Sequence, residues 1–346
     1  MNNRMMAAVL YGKEHLQVEP VAVPAIDRGD ILVRVKVALT CGTDVKVFRR
    51  GYHARMIVPP AVFGHELAGD VVAVGGGVTR FSVGQRVVAA NSAPCEKCFF
   101  CRRGLENLCE DLLFNNGAYA EYIRIPARIV ESNTYLIPDH IGYRDAALAE
   151  PLACVVRGFD EAAPRPGDTI AIIGLGPIGL MFAKLAKLYG CRVIAVGRRR
   201  TQLERAEALG ADELVVATDG SDPVKAIRDL THGRGVDIAI EAVGQPQTWE
   251  WAVNMVRRGG TVNFFGGCPN ESTVNLDTAL LHYSEITCKA SFHHTPAYVQ
   301  KALDLVYAGQ ITASFFVNSE EPLANLLEVM RHLMSHNGHL KTAIVP

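Results

Sequence analysis

Four cysteines crowd into fifteen residues as Cys95-x2-Cys98-x2-Cys101-x7-Cys109. Four thiolates complete the tetrahedral shell of a zinc ion and leave no position open, which describes a structural site. The surrounding stretch, with Pro94, Lys97, Arg102, Arg103 and Gly104, is too polar to fold on a core of its own, so a metal would fold it. An iron–sulfur cluster takes the same four ligands, and the spacing alone leaves that option open. A second set is dispersed: Cys41 in Cys41-Gly42-Thr43-Asp44, His65 and Glu66 in Gly64-His65-Glu66, and Glu150 in Glu150-Pro151. Thiolate, imidazole and carboxylate together make the mixed ligand set of a catalytic zinc that keeps one position open.

A third pattern binds rather than reacts. Gly174-Leu175-Gly176-Pro177-Ile178-Gly179 falls between an apolar strand pattern and a helical one, the context in which Gly-x-Gly-x-x-Gly holds a dinucleotide. Gly174 permits the tight turn, Gly176 lets the backbone approach a pyrophosphate, and Gly179 lets helix and strand pack closely. The helix that starts at Pro177 offers free N–H groups from Ile178 onward to the phosphates. The end of the next strand reads Val196-Gly197-Arg198-Arg199-Arg200. NAD-binding versions place Asp or Glu where Gly197 stands, to accept from the ribose hydroxyls. A glycine makes room for a 2′-phosphate, and Arg198 and Arg199 can grip it, so NADP is expected over NAD. The alternative is a solvated arginine loop on an NAD enzyme.

These residues need two kinds of scaffold. Residues 31–37 alternate, and 69–74 and 86–90 are short apolar strands bounded by Gly or Asn. Crossover helices are hard to find in that first part. The pattern changes near Pro166-Gly167-Asp168. Residues 169–173 form a continuously apolar run, as a buried parallel strand does. A helix is expected over 178–189, a strand over 192–196 and a helix over 201–209. Further strands are expected at 213–216, 237–241, 261–265 and 285–290, with helices at 223–230 and 249–257. This alternation predicts a doubly wound parallel sheet. From about Phe292 the character is mixed again, and that tail can rejoin the first domain.

The composition excludes other classes. Lys and Arg number 35 against 36 Asp and Glu, which leaves no basic face for nucleic acid. The longest apolar run, 170–183, is broken by three Gly and one Pro and is too short to cross a bilayer. Residues 1–16 carry no export signal, so a soluble cytoplasmic protein is expected. There the 9 cysteines point to metal or catalysis rather than disulfides.

Gly64-His65-Glu66-x2-Gly69-x5-Gly75-x2-Val78 resembles the signature of the zinc-containing medium-chain dehydrogenases, and the cysteine lobe has the spacing of that family's structural zinc. Cys41-Gly-Thr-Asp-Val-Lys46, Glu150-Pro-Leu-Ala-Cys154 and the stretch from Phe264 through Ser272-Thr-Val-Asn to His282-Tyr-Ser-Glu-Ile-Thr resemble its polyol branch. That branch includes sorbitol, L-iditol and L-threonine dehydrogenases. The resemblance covers essentially the whole chain. It implies an α/β protein with a GroES-like β-rich catalytic domain over 1–152, holding a zinc lobe at 94–110. A Rossmann domain over 153–291 follows, with 292–346 returning to the catalytic domain. It implies Cys41 and His65 on the catalytic zinc, Glu66 directly or through water, and Glu150 in some states only. Thr43 would sit beside the substrate oxygen and pass its proton outward.

One departure stands out. Five residues after Cys41, related enzymes carry a relay histidine, and this chain has Lys46. It can relay a proton, contact a cofactor or substrate oxygen, or simply be solvated. By the same resemblance His293, His294 and Phe114 are candidate substrate contacts, and a dimer or tetramer is expected. The resulting expectation is zinc-dependent hydride transfer between a small secondary alcohol, a polyol or sugar derivative, and NADP. The alternatives are a threonine or simple secondary-alcohol dehydrogenase using NAD, and a non-catalytic zinc- and dinucleotide-binding protein.

Overall fold

The computed structural model describes residues 3–53, 56–335 and 340–346. The chain divides into two compact units, Met1–Ala153 with His294–Pro346, and Cys154–His293.

The first unit is built on antiparallel strands. Ile31–Leu39 turns Ile31, Val33, Val35 and Val37 inward and leaves Arg34 and Lys36 outside, the period-two pattern of β-branched residues on a half-buried surface. It pairs antiparallel with Glu66–Val74, with Val33 opposite Val71 and Leu39 opposite Glu66. The register matters for chemistry. One strand ends just before Cys41 and its neighbour begins just after His65, so both residues emerge at the same end of the sheet. The strand Lys341–Val345 pairs antiparallel with Ile31–Leu39, Ala343 opposite Leu39, which carries Lys341 to that end too. Leu10, Ile31, Leu67, Phe48, Phe63, Ile125, Leu326 and Met330 form the core behind it. Each such side chain contributes roughly 1.5–3 kcal/mol by leaving water.

The helix Gly42–Arg50 was not foreseen from the sequence. Cys41 is its N-cap and Asp44 completes a capping box, while Val47 and Phe48 anchor it. It stops at Gly51, whose φ of 89° suits glycine and where a Cβ would meet Lys13 N at 2.4 Å.

The second unit is a six-stranded parallel sheet. Its strands are, in sequence, Thr169–Ile173, Arg192–Gly197, Glu213–Val216, Val236–Glu241, Val256–Phe264 and Thr287–Ala290. Their spatial order is third, second, first, fourth, fifth, sixth, which is the doubly wound arrangement the alternation predicted. Thr169–Ile173 is buried throughout, as its unbroken apolar character requires. Several boundaries differ from the sequence reading. The helix Pro246–Met255 ends early and the fifth strand starts at Val256 rather than 261. Arg257 pairs with Asp237 of the neighbouring strand at 2.5 Å, and Gly259-Gly260 break the helix, so 257–260 form an irregularity between the Val236–Val256 and Ile238–Thr261 pairs. The sixth strand begins at Thr287 because Ser284 and Glu285 close the preceding helix, Glu285 at φ 49°. No helix among the described residues is long and apolar enough to cross a membrane.

Candidate metal and cofactor sites

The cysteine lobe hangs between two short paired strands, Ser92–Ala93 and Leu113–Phe114. All four sulfurs lie within 4.8 Å of one another. Cys98 Sγ stands 3.5 Å from Cys101 Sγ and 3.9 Å from Cys109 Sγ. A tetrahedron with zinc–sulfur bonds of about 2.3 Å has edges of about 3.8 Å, so these separations suit one small ion. An iron–sulfur cluster seated among the same thiolates would hold them farther apart. The backbone aims positive ends at the sulfurs: Cys95 N–H donates to Cys109 Sγ at 3.2 Å. Amides of Cys101 and Glu110 bring the Cys98 thiol down to about 6, while burial pushes Cys101 up to about 12. Phe99, Leu105 and Leu108 are exposed, so the lobe has little core beyond the thiols. All nine cysteines are unpaired by disulfides.

The second cluster gathers where the sheet register brings its parts. Cys41, His65 and Glu66 place one ligand atom each within 4.8 Å of the others. Thr43 N–H donates to Cys41 Sγ at 3.4 Å. The hub is Asp44, to which the sequence reading gave no role. Its Oδ1 lies 2.9 Å from His65 Nδ1, and its Oδ2 accepts from Cys41 N–H at 3.0 Å and the Tyr119 hydroxyl at 2.6 Å. A carboxylate in that position accepts the Nδ1 proton and leaves the His65 Nε2 lone pair for a metal. Burial alone would lower the His65 pKa; Asp44 and Cys41 outweigh it and raise it well above the usual histidine range. The capping-box spacing from Cys41 to Asp44 was a signal in the sequence.

Glu66 is fully buried, and both of its oxygens accept from Lys341 Nζ at 2.6 Å. Lys341 Nζ also donates to the Thr40 carbonyl at 3.0 Å. Burial pushes Glu66 up to about 7, against the pull of Lys341 and with the added charge of Glu150. Burial opposes the Lys341 charge, but Glu66, Cys41 and Glu150 together raise its pKa above the usual range. Glu150 is buried too, which raises its pKa, and its carboxylate stands outside the tight trio. Cys41, His65 and Glu66, with Asp44 and Glu150 beside them, gather sulfur, nitrogen and oxygen donors in one place, a donor set that suits a divalent cation.

Thr43 is half-buried, and Lys46, three residues on along the same helix face, is exposed. His294 is buried with Nε2 at 3.1 Å from Asn91 Oδ1 and 3.8 Å from Glu150 Oε1. Half-buried Phe114 pairs with Ser92, next to Asn91. His293 lies in the other unit at φ 66°.

The glycine loop belongs to the second unit. Gly174 has φ 94°, and a Cβ there would strike Val243 at 2.5 Å; one at Gly179 would lie 1.8 Å from the Gly174 carbonyl oxygen. Around Gly176 there is open space. Gly176 caps the helix Pro177–Leu188 without any side-chain bond, which leaves the Ile178 and Gly179 amides for an anion. Gly197 ends the second strand, with Leu175 Cδ1 at 2.7 Å from where a Cβ would be. Arg200 is paired with Glu204 at 2.9 Å. Arg198 is exposed and Arg199 half-buried, and neither has a carboxylate partner among the described residues.

Comparison with known proteins follows nearly the same division, one match running past His293 into the first unit. The family described as zinc-binding dehydrogenase matches residues 177–308, and the alcohol dehydrogenase GroES-like domain matches residues 27–138. Sorbitol dehydrogenase of Bacillus subtilis (strain 168) is 31% identical over 350 residues, covering 99% of this chain and 97% of the relative. D-arabinitol dehydrogenase 1 of Uromyces fabae is 30% identical over 349 residues, covering 99% and 97%. A Sinorhizobium meliloti 1021 protein, assigned as a zinc-binding dehydrogenase and solved bound to NADP, superposes with a TM-score of 0.91 at 30% identity, covering 99% of each chain.

Proposed function

From the premise that this chain belongs to the zinc-binding alcohol dehydrogenase family with a GroES-like domain, and is an oxidoreductase of its polyol branch, we propose that it transfers hydride between a secondary hydroxyl of a polyol or sugar derivative and NADP. The observation that carries the cofactor choice is the end of the second parallel strand. Gly197 stands there without a carboxylate, followed by Arg198 and Arg199 with no acidic partner among the described residues. The related Sinorhizobium protein solved with NADP supports the same choice.

When bound, a zinc held by Cys41, His65 and, directly or through water, Glu66 would supply Lewis acidity for an alcohol oxygen, and a bound nicotinamide would supply the acceptor for hydride. The chain does the rest. Asp44 fixes the imidazole of His65 through Nδ1 and ties it to the Cys41 backbone. Lys341 holds Glu66 by both oxygens. Thr43 takes the hydroxyl proton as it gives up its own outward, with Lys46 on the same helix face as a contact for a cofactor or substrate oxygen, or as a relay in its neutral form. Phe114, His293 and His294 are the proposed substrate contacts. Cys95, Cys98, Cys101 and Cys109 hold a second zinc that folds their lobe. The amides of Ile178 and Gly179 take the pyrophosphate beside Gly174 and Gly176.

A homo-oligomer, dimer or tetramer, is part of the proposal. Thr287–Ala290 ends the parallel sheet, its outer edge is unpaired among the described residues, and all four residues are exposed. Such an edge invites a second strand. Light scattering on the purified protein tests it, and a monomer at working concentration would rule it out.

The enzymatic test is a panel of polyols, L-threonine and short secondary alcohols, followed by nicotinamide absorbance with NADP and NAD in parallel. The proposal expects polyols to lead and kcat/KM to favour NADP. A clear preference for NAD overturns the cofactor reading. Metal analysis that finds zinc in the cysteine lobe alone overturns the catalytic one.

A further inference from the structure

A buried chain of charge in the second unit has no part in the chemistry described so far. Arg157, in the helix Ala149–Ala162, is only 6% exposed. Its Nη1 donates to the carbonyls of Phe292 at 2.8 Å and His293 at 3.1 Å, and its Nη2 pairs with Glu161 Oε1 at 2.6 Å. The other Glu161 oxygen accepts from the Ser291 hydroxyl at 2.5 Å. Ser291 Oγ accepts in turn from Asn263 Nδ2 at 2.9 Å, which also donates to the Gly158 carbonyl at 2.8 Å. Asn263 is fully buried in the fifth strand. Apart from a pairing of Glu161 with Lys289 of the sixth strand at 3.4 Å, these bonds end on, or brace, residues 291–293, immediately past that strand.

Burying a guanidinium is costly, and exchanging a buried ion pair as a whole for well-packed apolar side chains is often neutral for stability. What the arginine does that an apolar residue would not is set the direction of two peptide planes. With the Phe292 carbonyl drawn toward Arg157, the His293 N–H of that trans peptide points to the opposite side. His293 itself sits at φ 66°, a left-handed conformation that a residue with a Cβ adopts at a cost and that clusters at ligand clamps.

The location gives this a purpose. Ligands of doubly wound sheets lie outside the carboxyl ends of the strands, across the point where strand order reverses. Gly197 ends the second strand, on the half that takes the adenosine nucleotide. The other nucleotide must then lie over the fourth, fifth and sixth strands, which end at Glu241, Phe264 and Ala290. We propose that Arg157 is a positioning residue for the nicotinamide half of the cofactor, acting through the backbone of Phe292 and His293. The inference rests on the dinucleotide reading above.

The test compares two probes on the wild type and Arg157→Gln: NADPH, and 2′-phospho-ADP-ribose, which lacks the nicotinamide ring. Titration calorimetry and the fluorescence of bound NADPH supply the dissociation constants. Arg157→Gln should weaken NADPH about tenfold, the scale of one charge-assisted hydrogen bond, and change the ring-less probe less than about twofold. Arg157→Lys keeps the charge but not the fork, and should recover only part of the loss. If Arg157→Gln is not folded by circular dichroism, Ser291→Ala is read the same way, with a loss of about threefold expected. Equal weakening of both probes, or no weakening of either, overturns the inference while leaving the dinucleotide reading intact. A wild type that binds neither probe overturns both.

Discussion

Replacing Gly197 by Asp tests the cofactor reading most directly, because it restores the carboxylate that NAD enzymes place at the end of the second strand. Two effects oppose each other. A carboxylate about 5 Å from a 2′-phosphate carrying nearly two negative charges is repelled by about 2–3 kcal/mol in a partly solvated site. That corresponds to a loss of roughly 30- to 150-fold in kcat/KM with NADP. The new Cβ would also lie 2.7 Å from Leu175 Cδ1, so the tip of Leu175 must swing aside. Forcing that side chain off its rotamer costs about 0.5–1.5 kcal/mol, which appears as a fall in Tm of about 1–2 °C and limits the gain with NAD to about tenfold. Gly197→Ala carries the clash without the charge, so it separates the two. The assay is kcat/KM for NADP and NAD on one good substrate, with Tm measured alongside. The ratio should move toward NAD in Gly197→Asp and stay within about threefold in Gly197→Ala. A parallel fall with both cofactors in Gly197→Asp would refute the reasoning, because strain alone would then explain it.

The other outcomes concern the cluster at 41–66. Asp44→Asn replaces two acceptor oxygens with one and leaves the His65, Cys41 and Tyr119 donors competing for it. Zinc at that site should bind about 10- to 100-fold more weakly while the lobe zinc is retained, as read by metal analysis after graded chelation; unchanged zinc affinity counts against the hub role of Asp44. Lys341→Met strands Glu66 in a fully buried position and should cost about 3–5 kcal/mol, seen in denaturant unfolding. Adding Glu66→Gln should return part of that stability, and a double variant no more stable than the single one would show that the pair is not coupled. Lys46→Ala should shift one limb of the pH–rate profile if Lys46 relays the proton, and an unchanged profile assigns the proton to solvent.

What local order in the chain could encode was readable before any fold was known. Four thiols within fifteen residues can reach one ion because the linking segments are too short to carry them apart. The glycine loop works through φ angles and near contacts with its own strand and helix, so its spacing is its mechanism. The strand 213–216 and the helix 223–230 matched residue for residue because punctuation and period agree there. The fifth strand was misjudged at its start because Arg257 answers to Asp237 on a neighbouring strand, which no window along the chain includes.

The partners of the buried charges were decided by tertiary structure alone. Lys341 reads in the sequence as one more lysine near the chain end. It meets Glu66, 275 residues away, because its strand pairs with Ile31–Leu39, whose other neighbour begins at Glu66. Tyr119 reaches Asp44 from 75 residues away, and Arg157 grips Phe292 from 135. A buried charge must find its counterpart wherever sheet register and packing deliver one, and register is a property of pairs of segments. The sequence therefore named candidate atoms for metal and cofactor, while the fold chose the residues that hold those atoms still.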